Sequence, residues 1–376
     1  RFFYEFISRF RKMPFIGEHL FQFMDSFQKI LVYYPRRDMS LPSFGLKRIS
    51  SFIKNGWGKD LIERLSKTRL PLVTTFFTAA FMAEHFNYPD DIYCIICDAD
   101  IARTWAPLDP KKSRIKYFVP NSWARDRLKL YGVKEENIFL TGYPLPKENI
   151  GSEQMEILKK DLGYRLINLD PKGEYHKMYG PLLQGYLGKV PTMPNHPLTI
   201  LFSIGGAGAQ KEIVAQMVNS LRAAIKQRKI RVIISVGVRE ELRKYFEDHL
   251  NGLKLNGWVH LLSGLSMNEY FDKFNLALRT TDILWTKPSE LSFYAALGIP
   301  IIIAPTLGSQ EDFNKRWLNH IGAGIEQANP QYTNEWLFDL LDSGDLAEMA
   351  MQGFVEMKVL GTYNIEKILT GNRFHV

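Results

Sequence analysis

Cysteine is scarce. The 376 residues hold two, Cys94 and Cys97, which leaves no disulfide framework and no multi-thiolate zinc module to build on. They form a CxxC inside DIYCIICDAD, and positions three apart on a strand point to opposite faces, which argues against a shared metal or a bridge. Both are expected as buried apolar side chains of a cytosolic protein. Long apolar runs are missing too. The longest uncharged run, 291–310, contains Gly298, Pro300 and Pro305 and divides into helix, turn and strand, so no membrane-spanning helix is expected. The chain opens on Arg1 without a signal-peptide pattern,. It shows no internal repeat, no low-complexity segment and no nucleic-acid-binding motif, which sets aside solenoids and a nucleic-acid partner.

What is present suits a globular α/β protein. A chain of this length is enough for two domains, and 45% apolar with 23% charged residues is ordinary for such a fold,. The charge is unevenly placed. Residues 1–70 hold 14 Lys or Arg against 6 Asp or Glu, so the whole net charge of +8 lies there. Fourteen aromatic residues fall within 1–58, among them Phe2, Phe3, Tyr4, Phe6, Phe10, Phe15, Phe21, Phe23 and Phe27, interleaved with Arg9, Arg11, Lys12, Arg36, Arg37, Lys47 and Arg48. Two readings fit: a helical core face with a solvated basic face, or a basic aromatic surface that docks on an anionic membrane.

From residue 60 the pattern alternates helix and strand, with strands expected at 70–75, 92–97, 115–119 and 138–141 and helices at 59–67, 79–85 and 122–131. Such alternation predicts a parallel sheet with ligands beyond the strand C-termini. A proline-rich stretch, 146–197, is expected as a linker carrying an insertion. The alternation then resumes with strands at 198–203, 231–236 and 259–262 and helices at 211–228, from 240, and at 267–274. After the first of these strands comes the loop GGAGAQ, in which Gly205, Gly206 and Gly208 leave room for a phosphate at a helix N-terminus,.

The stretch DILWTKPSELSFYAALGIPIIIAPTLGSQEDFNKRWL, 282–318, organises the rest. It predicts a strand at 283–285, a turn, a helix from Ser289 with Glu290 in its first turn, a Gly-Ile-Pro stop, a buried strand at 301–304, and a polar loop opening a helix near Gln310. A phosphate on one side and sugar hydroxyls on the other would suit such a convergence.

TKP, a helix with a Glu, ALGIP, an apolar strand and GSQEDFN together resemble the donor half of GT-B glycosyltransferases that use UDP-sugars. The likeness is to monogalactosyldiacylglycerol synthases, processive diacylglycerol glucosyltransferases and the N-acetylglucosaminyltransferase that makes lipid II. It covers most of 70–370 and is strongest over 198–320. The resemblance implies an α/β protein of two Rossmann-like domains facing across a cleft: an acceptor-side domain at 1–145, the linker at 146–197, a nucleotide-sugar domain at 198–360, and a C-terminal helix at 361–376 that crosses back. It implies a UDP-sugar donor with no further cofactor and no metal, a lipid or polyprenyl-linked acceptor, and a place in the cytoplasm or on the inner face of a membrane. By the same resemblance Gly206 and Gly208 face the diphosphate, Gln310, Glu311 and Asn314 lie near the sugar, and Glu290 grips the ribose. Lys287 adds positive potential at the strand end.

The chain departs from that pattern in three places. Two glycines normally follow TKP, whereas Ser289 and Glu290 stand here, with Glu290 ten residues before Pro300. The relatives' TD…H..W motif keeps only Asp98 and Trp105, Ala102 and Arg103 standing where its His falls. Nothing before residue 58 is a strand followed by a glycine turn. Inverting transfer still needs a base for the acceptor proton. Either the native N-terminus that carries it lies upstream, or the base is Asp98, Asp100 or His85. A UDP-sugar 2-epimerase and a non-catalytic sugar-nucleotide-binding or membrane scaffold protein are the alternatives.

Overall fold

The computed structural model describes residues 29–205, 210–253, 255, 257–306 and 308–371. Two compact units result. The first takes the described parts of Arg1–Pro144, Leu307–Asn314 and Leu360–Val376; the second takes those of Leu145–Thr306 and Lys315–Val359.

The first unit is built on four parallel strands in sequential order: β1 (Leu72–Thr74), β2 (Ile92–Ile95), β3 (Lys116–Val119) and β4 (Ile138–Leu140). Apolar side chains on both faces of β2 and β3 dictate burial on both sides. On one face Ile92, Cys94, Tyr117 and Val119 join Phe77, Phe81 and Leu128 from the helices Phe77–His85 and Ser122–Leu130. Cys94 is fully buried, and burial pushes its thiol pKa up, as suits an inert apolar side chain. On the other face Tyr93 and Phe118 stack 5.0 Å apart and receive Ile365 of the helix Gly361–Thr370. That helix approaches the end of β4 closely. A Cβ on Gly361 would stand 2.2 Å from the Tyr143 carbonyl oxygen, and Asn364 donates to the Thr141 carbonyl at 2.7 Å.

The second unit has six parallel strands: β5 (Leu198–Ser203), β6 (Ile230–Gly237), β7 (Val259–Ser263), β8 (Ile283–Thr286), β9 (Ile301–Ile303) and β10 (Gly324–Glu326). Their order is β10-β9-β8-β5-β6-β7. The chain winds outward from β5 to β7, then returns to the other side of β5 with β8. The order therefore reverses between β5 and β8, and in open parallel sheets ligands bind at the C-terminal ends of such a pair.

Three local expectations are corrected. The helix expected at 211–228 is two, Lys211–Ser220 and Arg222–Lys226, with a break at Leu221. The helix expected from Ser289 is a 3-10 helix, Glu290–Leu297, and Ser289 makes no side-chain cap. Its residues Tyr294–Leu297 are buried together, and the helix Asp345–Glu356 comes so close that a Cβ on Gly353 would lie 2.3 Å from the Ala295 carbonyl; tertiary packing overrides helix propensity there. Residues 145–197 form the helices Lys147–Ile150, Glu156–Leu169 and Glu174–Leu187 as part of the second unit. Its prolines tolerate this because most fall at helix starts or in connections. The buried Arg165 guanidinium ties the second helix down, donating to the carbonyls of Leu278, Thr281, Leu297 and Gly298.

Candidate functional site

At the C-terminal ends of β5 and β8, an exchange of side chains surrounds Gly205. The Gly205 N–H donates to Gln210 Oε1 at 3.2 Å. Lys287, the first residue after β8, reaches across so that a Cβ on Gly205 would meet its Cε at 2.8 Å. Arg239, two residues beyond β6, donates to the carbonyls of Ile204 and Gly205 at 2.9 and 3.0 Å. Two cationic side chains thus converge where the sheet order reverses. The Gln210 side chain is buried, and among the described residues its Nε2 finds no acceptor although Oε1 is satisfied. An unmade bond of this kind costs about 1–3 kcal/mol. Ser292 Oγ, on the 3-10 helix after β8, is another buried polar atom without a partner among the described residues.

Of the residues expected at this site, Gly205 and Lys287 are brought together. Gly206 and Gly208 lie outside the described residues, as does the side chain of Glu290. Arg239 and Gln210 were missed. The signal for Arg239 was present in SVGVRE: a Gly at the end of a buried strand, here Gly237 with φ +69° beside a register shift in the β6–β7 pairing, turns the following residues toward the neighbouring strand end.

In the first unit the C-terminal end of β2 leads into Asp98-Ala99-Asp100. The helix Ser309–His320 presents Gln310 and Asn314 on one face, four residues apart,. Gln310 Nε2 donates to Asp98 Oδ2 at 2.5 Å, Asn314 Nδ2 donates to Asp98 Oδ1 at 3.1 Å, and the Ala99 N–H returns a bond to Asn314 Oδ1 at 2.9 Å. The two amides thus hold the Asp98 turn rather than stand open to solvent. Glu311, one position along, is half-buried and belongs to a different face of the helix.

Asp100 has another employment. Both of its oxygens accept from Arg127, at 2.9 and 2.6 Å, with both side chains almost fully buried. Burial pushes the Asp100 carboxyl pKa up, against the pull of the Arg127 guanidinium. A bidentate buried pair is a structural clamp, which removes Asp100 from the candidate bases and from any shared metal site with Asp98. His85 is corrected as well. It ends the helix that runs back from β1 to β2, so it sits exposed at the N-terminal edge of the sheet, whereas Asp98 stands at the C-terminal edge. Arg103, where relatives carry His, is buried and spends its N–H groups on the carbonyls of Ser40, Ala106 and Pro107. Trp105 packs on Phe77 at 5.3 Å as part of the core.

Comparison with known proteins bears on the fold. Residues 192–260 and 239–367 match a family described as a domain of unknown function (DUF6938), and no curated protein matches the chain. Among solved structures, a protein from Listeria monocytogenes assigned as a UDP-N-acetylglucosamine 2-epimerase superposes with a TM-score of 0.50 at 15% identity, over 89% of this chain and 82% of that one. The UDP-GlcNAc 2-epimerase of Neisseria meningitidis, solved with UDP-GlcNAc bound, gives 0.50 at 13% identity, over 89% and 84%. These likenesses show the fold, two Rossmann-like α/β domains of the GT-B class.

Proposed function

We propose that this chain is a UDP-sugar-dependent enzyme that transfers a hexosyl group, with inversion, to a lipid or membrane-associated acceptor. The observation that carries the reading is the convergence at the ends of β5 and β8 of Gly205, Lys287, Arg239 and Gln210, whose Nε2 has no acceptor among the described residues. A glycine with two cationic side chains beside it suits a diphosphate. In the transfer the acceptor oxygen bonds to the anomeric carbon, the bond from that carbon to the diphosphate oxygen breaks, and UDP leaves with the electron pair. Lys287 and Arg239 offset its charge, so no metal ion is required. Asp98 is the candidate to take the acceptor proton, its turn held by Gln310 and Asn314.

The second reading is 2-epimerisation of a UDP-sugar, favoured by what the two similar structures are. It needs acid and base groups on both faces of the sugar. Of these the sequence makes only carboxylates evident, and His85 stands at the N-terminal edge of its sheet.

The test is incubation with radiolabelled UDP-glucose, UDP-galactose and UDP-N-acetylglucosamine, each with and without diacylglycerol vesicles. Label appearing in the lipid with release of UDP is expected. Conversion of the UDP-sugar to its C2 epimer without acceptor would replace this reading by the second. UDP-sugar that binds and is recovered unchanged would make the protein a non-catalytic sugar-nucleotide-binding scaffold.

A further inference from the structure

A large cavity lies at the other end of the second unit's sheet. It encloses about 890 Å³, within the roughly 300–1,000 Å³ range of small-molecule sites. Leu198, the first residue of β5, and Arg228 and Lys229, which precede β6, line it, so it sits at the N-terminal edge of the strands. The convergence at Gly205 is at their C-terminal edge. At about 3.3 Å per residue, the length of β5 separates the two by roughly 20 Å.

Its wall has two characters. Leu166, Tyr175, Leu183, Phe338 and Leu341 supply apolar surface. Several of its polar groups are already occupied. The Asp170 carboxylate accepts the Tyr175 and His176 N–H groups, Lys172 pairs with Asp342 at 2.7 Å, and the 7%-exposed His196 side chain is held by Asp282 at 3.0 Å. Asp282 in turn accepts from Asn168 and from the Thr199 N–H, which fixes this wall in place. Arg228 and Lys229 are not so occupied. Neither has an anionic partner among the described residues.

The backbone at Arg228 adds to this. Its φ is +62°, and it closes the helix Arg222–Lys226 with its own N–H on the Ile225 carbonyl and the Lys229 N–H on the Ala224 carbonyl. Glycine or asparagine takes this position most readily. An arginine held there costs about 1 kcal/mol or more, and it puts a cationic side chain on the lining of the cavity.

We propose that this cavity is a binding site for a small amphipathic anion, with the apolar body against Leu183 and Phe338 and the anionic group on Arg228 and Lys229. The site is separate from the sugar-nucleotide reading and stands or falls without it. The probe is 8-anilinonaphthalene-1-sulfonate, an aromatic body carrying one sulfonate, titrated against the full chain by fluorescence. Two variants are compared. Arg228→Asn with Lys229→Gln removes the charge while keeping a residue that tolerates the left-handed backbone, and Leu183→Trp fills the apolar body of the cavity. A saturable component weakened at least fivefold in both is expected, with UDP failing to displace the dye. Dye binding unchanged in both variants overturns the proposal. So does loss in Leu183→Trp alone, which would mean an apolar cavity without anion recognition. Displacement by UDP overturns it as well, since the dye would then occupy the site at Gly205. The charge variant lies at the surface and keeps the fold testable should Leu183→Trp fail to pack.

Discussion

Two aspartates two positions apart take opposite parts in the first unit. Asp98 faces the amides of Gln310 and Asn314, whereas Asp100 is locked on Arg127 in the interior. The sequence showed an Asp-x-Asp after an apolar strand and left three candidates for the base. It could not divide them, because the deciding partners lie 27 residues away in one case and more than 200 in the other. Removing one member of a buried pair leaves a charge without solvent, at a cost of about 3–5 kcal/mol. Arg127→Met is therefore expected to lower the unfolding free energy obtained from urea titration by that much, seen as a lower midpoint. Arg127→Met with Asp100→Leu should recover most of the loss. If Arg127→Met alone leaves the midpoint unchanged, the pair is not the clamp the geometry indicates.

At the scale of elements, every strand but β10 was legible because both sheets are parallel and buried on two faces, which writes them as short apolar runs such as ILFS and VIIS, whereas β10, half-buried GIE, is no such run. Their ends were legible to within a few residues. Strand order was not, since a run of apolar residues carries no record of its neighbour, and it is the order that places Lys287 beside Gly205. The 3-10 helix after β8 was also hidden, being set by the approach of Gly353 to Ala295. The juxtaposition at Gly205 can be tested directly. Gly205→Val puts branched carbon where Lys287 Cε now lies, 2.8 Å from the ideal Cβ, and is expected to weaken UDP binding at least tenfold by calorimetry while the thermal midpoint moves little. In the unaltered protein EDTA should leave UDP affinity unchanged. Loss under EDTA would mean a metal ion neutralises the diphosphate in place of the two cations, and full affinity in Gly205→Val would put the phosphate site elsewhere.

For the whole molecule, the lopsided charge remains to be accounted for. Residues 1–28, with Arg9, Arg11, Lys12 and the aromatics from Phe2 to Phe27, lie outside the described residues. The described part of the basic segment can be examined. Helix Phe44–Lys54 turns Leu46 and Ile53 inward, but Phe44 is 68% and Leu41 83% exposed, with Phe52 and Trp57 exposed beside them. Arg48 lies over the Phe52 ring at 5.4 Å, and Phe52 meets Trp57 edge to face. Of the five described aromatics in this segment Tyr33 is half-buried and Tyr34, Phe44, Phe52 and Trp57 are exposed, so the core face expected of them is made there by aliphatic Leu46 and Ile53 instead. No described helix is long and apolar enough to cross a membrane. Docking on an anionic surface is the use we propose for this face, at roughly 1 kcal/mol for each basic residue near the lipid. Screening acts within a Debye length of about 8 Å at physiological salt, so charge alone would release the protein, and inserted rings would not. Sedimentation with phosphatidylglycerol vesicles should therefore fall only partly as salt rises. Lys47→Glu with Arg48→Glu should weaken binding at low salt, and Phe52→Ser with Trp57→Ser should remove the salt-resistant fraction. A protein that stays in the supernatant even at low salt would return these rings to ordinary surface and make a soluble acceptor the better substrate to seek.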